Sequence, residues 1–258
     1  MKQKLHIVKV GGHLVNDANA LQEVLAAFTK IDAPKVLIHG GGKHATALAT
    51  QLGVSPKMID GRRITDADML EVAVMSYAGL SNKKIVAQLQ QHGVNAVGLS
   101  GADGNCIEAV KRPVKEIDYG FVGDIVKVSA EVFTSLATQH FVPVLCAITH
   151  DKNGQLLNTN ADTIAAQVAI ALSATYDISL FYCFEHAGVL RDIANPTDVI
   201  SHLNATQTET FVNKGVIHQG MVPKLHNGFD ALKNGVNEVV ISNVTALTNS
   251  KAPKTILQ

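Results

Sequence analysis

Apolar residues in this chain keep two rhythms that take turns along its length. Short runs at residues 5–10, 35–39, 141–148, 178–184 and 238–242 have the length and β-branched content of strands buried on both faces. Between them, apolar positions recur at helical spacing. Asn16 or Asp17 is placed to cap a helix running to about residue 30, with Leu21, Val24, Leu25 and Phe28 on one face. Further helices are predicted at 45–52 (closed by Gly53), 66–78 and 81–92 (broken at Gly79), 130–139 and 160–172, and one from Pro223 with Leu225, Phe229 and Leu232 inward. Residues 58–65 read as extended. The glycine-rich stretch 94–128 reads as short strands and hairpins, and 151–154 as a hairpin turn. Residues 192–210 read as a loop with a short helix, and 254–257 as a final edge strand. This alternation predicts an α/β fold: a central, mainly parallel sheet covered on both faces by helices. No repeat or low-complexity linker divides it. A boundary near residue 174 would separate an N-terminal lobe, 1–173, from a C-terminal lobe, 174–258.

Two of the strands stop at glycine. The first ends in Gly11-Gly12 and the second in Gly40-Gly41-Gly42. A strand that stops at glycine and feeds a helix leaves backbone N–H groups pointing outward at the positive end of a helix, where phosphate or carboxylate binds. Two such turns this close in sequence point to two anionic groups held side by side.

Composition narrows the partners. The chain has 258 residues, with 22 Lys+Arg against 22 Asp+Glu, so it carries no net basic field to favour nucleic acid or an anionic membrane. Cys106, Cys146 and Cys183 lack zinc-type spacing and sit far apart; Cys146 and Cys183 lie in apolar runs and read as buried thiols, and a reducing cytoplasm fits. No signal peptide precedes the first strand, and no apolar run is long enough to span a bilayer.

Several residues stand where structure alone does not want them. Lys9 interrupts an apolar strand just before Gly11; it is either an edge-strand lysine facing water or a buried cation that needs an anion beside it. Lys224 follows Pro223 at a helix start, where a cation opposes the helix dipole by roughly 0.3–1 kcal/mol; it reads equally as an exposed lysine and as a partner for phosphate. Asn158, Asn160 and Asp162 alternate before a helix. One of them suffices as a cap, and in an extended segment all three share a face. An aspartate there would align two lysines. Arg62-Arg63, by spacing alone, reads as a surface pair, although arginine's planar fork suits a carboxylate.

Gly40-Gly41-Gly42-Lys43-His44-Ala45, with Asp60 twenty residues after Gly40, also matches the dinucleotide-binding fingerprint. That reading, an NAD-dependent oxidoreductase, leaves Gly11-Gly12, Lys9 and the Asn-Asp motif without a role. There is no Walker motif and no G-x-S-x-G elbow, and the 11 histidines form no metal-type spacing.

Taken in order over nearly the whole chain, Lys9-Val10-Gly11-Gly12, His39-Gly40-Gly41-Gly42, Gly61-Arg62-Arg63-Ile64-Thr65, Asn158-Thr159-Asn160-Ala161-Asp162 and Gly220-Met221-Val222-Pro223-Lys224 resemble the motifs of the amino-acid kinase family, in its acylglutamate branch. The resemblance implies a three-layer α/β/α sandwich whose N-terminal lobe holds an N-acyl-L-glutamate and whose C-terminal lobe holds ATP. It implies that Gly41, Gly42, Arg63, Asn158 and Asn160 bind the acceptor, with Arg63 on its α-carboxylate. Lys9 and Lys224 would meet the transferring phosphoryl group and Asp162 would hold both lysines. Gly11, Gly12, Glu185, Gly188, Val216, Ile217 and His218 would line the nucleotide site. Mg²⁺ would ride on the ATP phosphates with no protein cage. The implied activity is phosphorylation of the side-chain carboxylate of N-acetyl- or N-succinyl-L-glutamate in arginine or ornithine biosynthesis. A kinase for another carboxylate or carbamate, and a ligand sensor without turnover, are the neighbouring readings. The chain departs from the family at Phe184-Glu185, where similar kinases carry an aspartate. It also opens directly on its first strand, without the N-terminal helix of hexameric relatives, so a homodimer is expected.

Overall fold

The computed structural model describes residues 2–59, 62–217 and 220–258. In chain order its strands are β1 (Lys4–Val10), β2 (Lys35–His39), β3 (Lys57–Ile59), β4 (Arg62–Ile64), β5 (Ala96–Leu99), β6 (Ile107–Lys111), β7 (Gly123–Val128), β8 (Val142–Leu145), β9 (Ile148–His150), β10 (Leu156–Asn158), β11 (Asp177–Cys183), β12 (His202–Leu203), β13 (Glu238–Ser242) and β14 (Thr255–Leu257). The helices are α1 (Gly12–Asn16), α2 (Ala18–Thr29), α3 (Gly42–Gln51), α4 (Ala67–Val74), α5 (Asn82–Gln91), α6 (Ala130–Thr138), α7 (Ala161–Ser173), α8 (Ala205–Asn213), α9 (Val222–Lys233) and α10 (Thr245–Thr248).

Eight strands make one sheet in the order β12-β14-β13-β11-β1-β2-β8-β5. Every neighbouring pair is parallel except β13 with β14. A parallel sheet must be covered on both faces, and two apolar layers do this. Leu5 and Ile7 of β1 pack in one layer with Ile164, Ala165 and Val168 of α7. Val8 and Val10 pack in the other with Val24, Leu25 and Phe28 of α2. Side chains alternate along a strand, so Lys9 shares the parity of Leu5 and Ile7 and is aimed at α7. The strand is central, between β2 and β11, which buries the lysine. A four-stranded sheet, β10-β9-β6-β7, and the β3–β4 hairpin stand apart from the main sheet. The β1–β11 pairing, from Lys4↔Asp177 to Val10↔Cys183, joins a strand from before residue 174 to one from after it in the same sheet.

Asp17 caps α2, accepting from the N–H groups of Asn19 and Ala20, as its sequence position predicts. Three expectations change. The helices at 66–78 and 81–92 are not broken at Gly79; α4 runs into α5 through a π-helical turn, Met75–Ser81. An extra residue absorbed in a wide turn keeps the helix continuous where glycine reads as a stop. The run 141–148 is two strands in two sheets, β8 and β9, separated at Cys146-Ala147. Both halves are buried, so apolar content carries no mark of the crossing. Residues 255–257 do not form the sheet edge: β14 lies inside β12, which is too short to stand out in sequence.

Candidate active site

The C-terminal ends of β1 and β2, side by side, bring the two glycine turns together. A Cβ built on Gly12 would lie 3.9 Å from the Gly42 nitrogen. Gly11 donates its N–H to the Cys183 carbonyl at 2.8 Å, which extends the sheet pairing, so the first turn offers its amides from Gly12 onward. At Gly41 a Cβ would stand 2.8 Å from the Tyr77 ring, so only glycine lets the second turn run this close beneath it.

The charged centre lies beside these turns. Lys9 Nζ is 2.6 Å from Asp162 Oδ1, and Lys224 Nζ is 3.1 Å from Asp162 Oδ2. The side chains of Lys9 and Asp162 are 7% and 8% exposed and that of Lys224 is 19% exposed. Burial disfavours the Asp162 carboxylate, yet the two ammonium groups hold its carboxyl below the ordinary aspartate range. Burial pushes the Lys9 pKa down, with Asp162 opposing and Lys224 adding to the fall. Both carboxylate oxygens are therefore engaged by cations, and Asp162 orients lysines rather than waiting for a proton.

Asp162 sits in the first turn of α7. Asn160 caps that helix, its side-chain oxygen accepting from the N–H groups of Asp162 at 2.7 Å and Thr163 at 3.2 Å. The extended segment thus ends before Asp162, which reaches the lysines from the helix rather than from a shared strand face. Asn160 uses its oxygen as a cap. Asn158, at the end of β10, donates instead to Thr65 Oγ1 at 3.0 Å.

Arg62 is exposed and Arg63 is buried, because β4 alternates them to opposite sides. This overturns the surface pair that spacing favours. Arg63 gives one nitrogen to the Gly42 carbonyl and to Thr46 Oγ1, both at 2.8 Å. Among the described residues no carboxylate lies within ion-pair distance of it. A buried guanidinium with no acid beside it, next to glycine amides, is arranged for an anionic ligand. Gly41, Gly42, Arg63 and Asn158 thus form one cluster, joined through Thr65.

A cavity of about 340 Å³ opens on the other side of the lysines. Lys9, Lys224, Gly11 and Gly12 border its polar end, and Val189, Leu190, Val216 and Ile217 its apolar end. Glu185, which is exposed, and Gly188 also line it. Gly188 has φ +154, and a Cβ there would meet Val199 Cγ1 at 2.5 Å and Thr255 Oγ1 at 2.7 Å. Phe184 stacks edge-on against His186, with ring centroids 5.6 Å apart. His218, expected in this lining, lies outside the described residues, as does Asp60 of the dinucleotide fingerprint. The Gly40–Gly42 turn of that fingerprint does not border this cavity, whereas Gly11 and Gly12 do.

Behind the second turn lies a polar group to which the sequence pattern assigns no role. His39 is fully buried, and its Nδ1 is 2.8 Å from the Gly40 carbonyl. Asn82 Nδ2 donates to the Val144 carbonyl at 2.9 Å and lies 3.1 Å from His39 Nε2. The amide nitrogen therefore donates to both, Nε2 accepts, and the ring proton is on Nδ1. In a trans peptide C=O and N–H point opposite ways, so tying back the Gly40 carbonyl turns the Gly41 N–H away from His39. Burial holds the His39 pKa down at about 4 against an ordinary 6.5. Below pH 6.5 the unfolded chain takes a proton that the folded chain refuses, so stability falls as pH drops toward 4. Urea unfolding at pH 7 and pH 4.5 is expected to register a loss of about 2–3 kcal/mol from this ring. In His39→Gln that share of the pH dependence disappears; an unchanged pH dependence contradicts the assignment.

Comparison with known proteins accords with this geometry. The model of the Amino acid kinase family matches residues 4–243. The chain is 52% identical over 247 residues to an acetylglutamate kinase of Phocaeicola vulgatus, covering 96% of each protein. Among solved structures it is similar to smu.665 from Streptococcus mutans UA159, with TM-score 0.82, 25% identity and 98% of both chains covered. It shares its fold with the carbamate kinase of Giardia lamblia, at TM-score 0.71 and 13% identity, over 100% of this chain and 99% of that one.

Proposed function

The chain belongs to the amino acid kinase family, as a carboxyl-accepting phosphotransferase of the acetylglutamate kinase type, and from that premise we propose that it transfers the γ-phosphoryl group of ATP to the side-chain carboxylate of N-acetyl-L-glutamate in arginine biosynthesis. The observation that carries this reading is the Lys9–Asp162–Lys224 cluster between two glycine turns. On one side lies a cavity with an apolar end suited to a nucleoside, and on the other a buried arginine without an acid. Apart from Lys9, Gly11, Gly12 and His13 at its polar end, the nucleotide cavity is lined by residues after 174, while the acceptor side draws on residues before it, so we assign ATP to the C-terminal lobe and acylglutamate to the N-terminal one.

The acceptor is a carboxylate with an ordinary pKa near about 4.3, already ionised at neutral pH, so no base is needed. The obstacle is repulsion between two anions and the charge spread over the transferring group. One acceptor oxygen attacks the γ-phosphorus, the bond to the β-phosphate oxygen breaks, and ADP leaves with that electron pair. Lys9 and Lys224 offset charge on the phosphoryl oxygens from one side, and the Gly12 amide faces the same gap. Arg63 holds the α-carboxylate, with Asn158 and the Gly41 and Gly42 amides orienting the rest; Asn160 acts by capping the helix that carries Asp162. Among the described residues no group of three or more His, Cys, Asp or Glu is arranged to hold a metal. Since Asp162 has both oxygens on lysines, the donor set fits Mg²⁺ arriving on the ATP phosphates, where it neutralises charge.

No helix among the described residues is long and apolar enough to cross a membrane. The three cysteines are buried and unpaired, their thiols pushed up to about 12 by burial. Both features suit the cytoplasm, and we assign a homodimer there. Purified protein with ATP, Mg²⁺ and N-acetyl-L-glutamate should form an acyl phosphate trapped by hydroxylamine. N-succinyl-L-glutamate and carbamate assayed in parallel identify the acceptor, and activity on neither acylglutamate rejects the reading.

A further inference from the structure

Tyr77 belongs to the π-helical turn Met75–Ser81, a kind of turn found disproportionately at functional sites. It is buried, and its ring lies over the second glycine turn. A Cβ on Gly41 would be 2.8 Å from Tyr77 Cδ1, 3.1 Å from Cε1 and 3.5 Å from Ser81 Oγ. Ser76, one residue earlier, is fully buried, and its Oγ has no partner among the described residues. The turn thus gathers hydroxyl groups on a side of the helix where an apolar stripe, Met69 and Ala73, leads up to Tyr77. Burial pushes the Tyr77 phenol pKa up, while the Arg63 guanidinium beside it draws it down.

A guanidinium only donates hydrogen bonds. No hydrogen bond joins Arg63 to Tyr77 among the described residues: Arg63 Nη2 goes to the Gly42 carbonyl and Thr46 Oγ1, which leaves the buried Tyr77 hydroxyl uncommitted. The Tyr77 ring and the Arg63 guanidinium flank the same Gly41-Gly42 turn, so the phenol proton is left for a third group there. The chemistry that satisfies both a guanidinium and a phenol donor is a carboxylate. We propose that Tyr77 is a substrate-binding residue whose hydroxyl donates to the same acceptor carboxylate that Arg63 neutralises, while its ring roofs the Gly41 turn. The proposal rests on the acylglutamate reading and adds to it a second, neutral donor for the α-carboxylate. The ring and hydroxyl have separate tasks, so they are separable by substitution.

Tyr77→Phe keeps the ring over Gly41 and removes only the hydroxyl. Steady-state kinetics with N-acetyl-L-glutamate and with its α-carboxamide decide the matter. For the acid, Tyr77→Phe is expected to raise KM about tenfold or more with kcat and the KM for ATP little changed, as loss of a charge-assisted hydrogen bond implies. For the carboxamide, which lacks the charge, wild type and variant should be alike. An equal fall with both substrates means a packing role and overturns the proposal, as does no change with either. Should wild type phosphorylate neither compound, the acylglutamate reading fails by itself. Calorimetric binding of N-acetyl-L-glutamate then tests Tyr77 alone: weaker binding by the variant supports the role, and equal binding or none to wild type overturns it.

Discussion

Lys9→Ala is expected to lower kcat about a thousandfold while the KM for N-acetyl-L-glutamate moves only a few-fold. An ammonium group about 4 Å from a unit of developing charge is worth about 4 kcal/mol at an effective dielectric of 20, which converts to roughly that factor. Lys9 reaches this regime because β1 buries it to 7% exposure and Asp162 holds its Nζ at 2.6 Å. Its charge is fixed before the reaction begins, so no solvent must reorganise around the transferring phosphoryl group. Lys224, at 19% exposure, is closer to water and is expected to lose less, about a hundredfold in Lys224→Ala. The effect belongs in kcat because the charge grows on passing from bound substrates to the transition state. The double variant should lose less than the product of the two factors, since both lysines act on one group. Coupled-assay kinetics with both substrates varied check this. Unchanged turnover in both single variants removes the lysines from the chemistry.

Those lysines were legible in the sequence because each breaks a local rule. A lysine in an apolar central strand and a lysine at a helix N-terminus both cost free energy unless something pays it back, and Asp162 answers both. The sheet was legible for the opposite reason: its strands and helices obey their periods. What spacing alone leaves hidden obeys ordinary rules too well, although the family motifs point to Arg63. Arg63 has an arginine neighbour, and only the alternation of a three-residue strand buries one of the pair. Tyr77 continues the helical stripe of Met69 and Ala73 and reads as core. His39 and Asn82 look like isolated polar residues, since a sequence separation of 43 conceals their 3.1 Å contact. The π-helical turn and the division of 141–148 between two sheets leave composition unchanged, so pattern alone does not expose them.

Asp162→Asn should be the most destabilising conservative change in the site. Asparagine keeps the volume and leaves no cavity, so the loss is electrostatic. Two ammonium groups, at 2.6 and 3.1 Å, lose their shared counter-charge, and one of them is almost wholly buried. Removing one partner of a buried ion pair costs about 3–5 kcal/mol, and the upper end applies while both lysines stay charged. The sign of the pH dependence follows from the pKa directions. In the wild type the Asp162 carboxyl is depressed, so its stabilisation is present above the unfolded aspartate value near about 3.9 and is lost as pH falls through the folded value. In Asp162→Asn that acid-side loss disappears. The already lowered Lys9 pKa falls further without Asp162, so between that value and the unfolded lysine value of about 10.4 the folded chain binds fewer protons than the unfolded one. Stability of the variant therefore rises with pH across this range, and its deficit relative to wild type shrinks toward pH 9.5. Urea midpoints at pH 7 and 9.5, free of substrate, measure both quantities. A deficit that is absent at pH 7, or that widens on the alkaline side, contradicts the picture of two lysines held by one carboxylate.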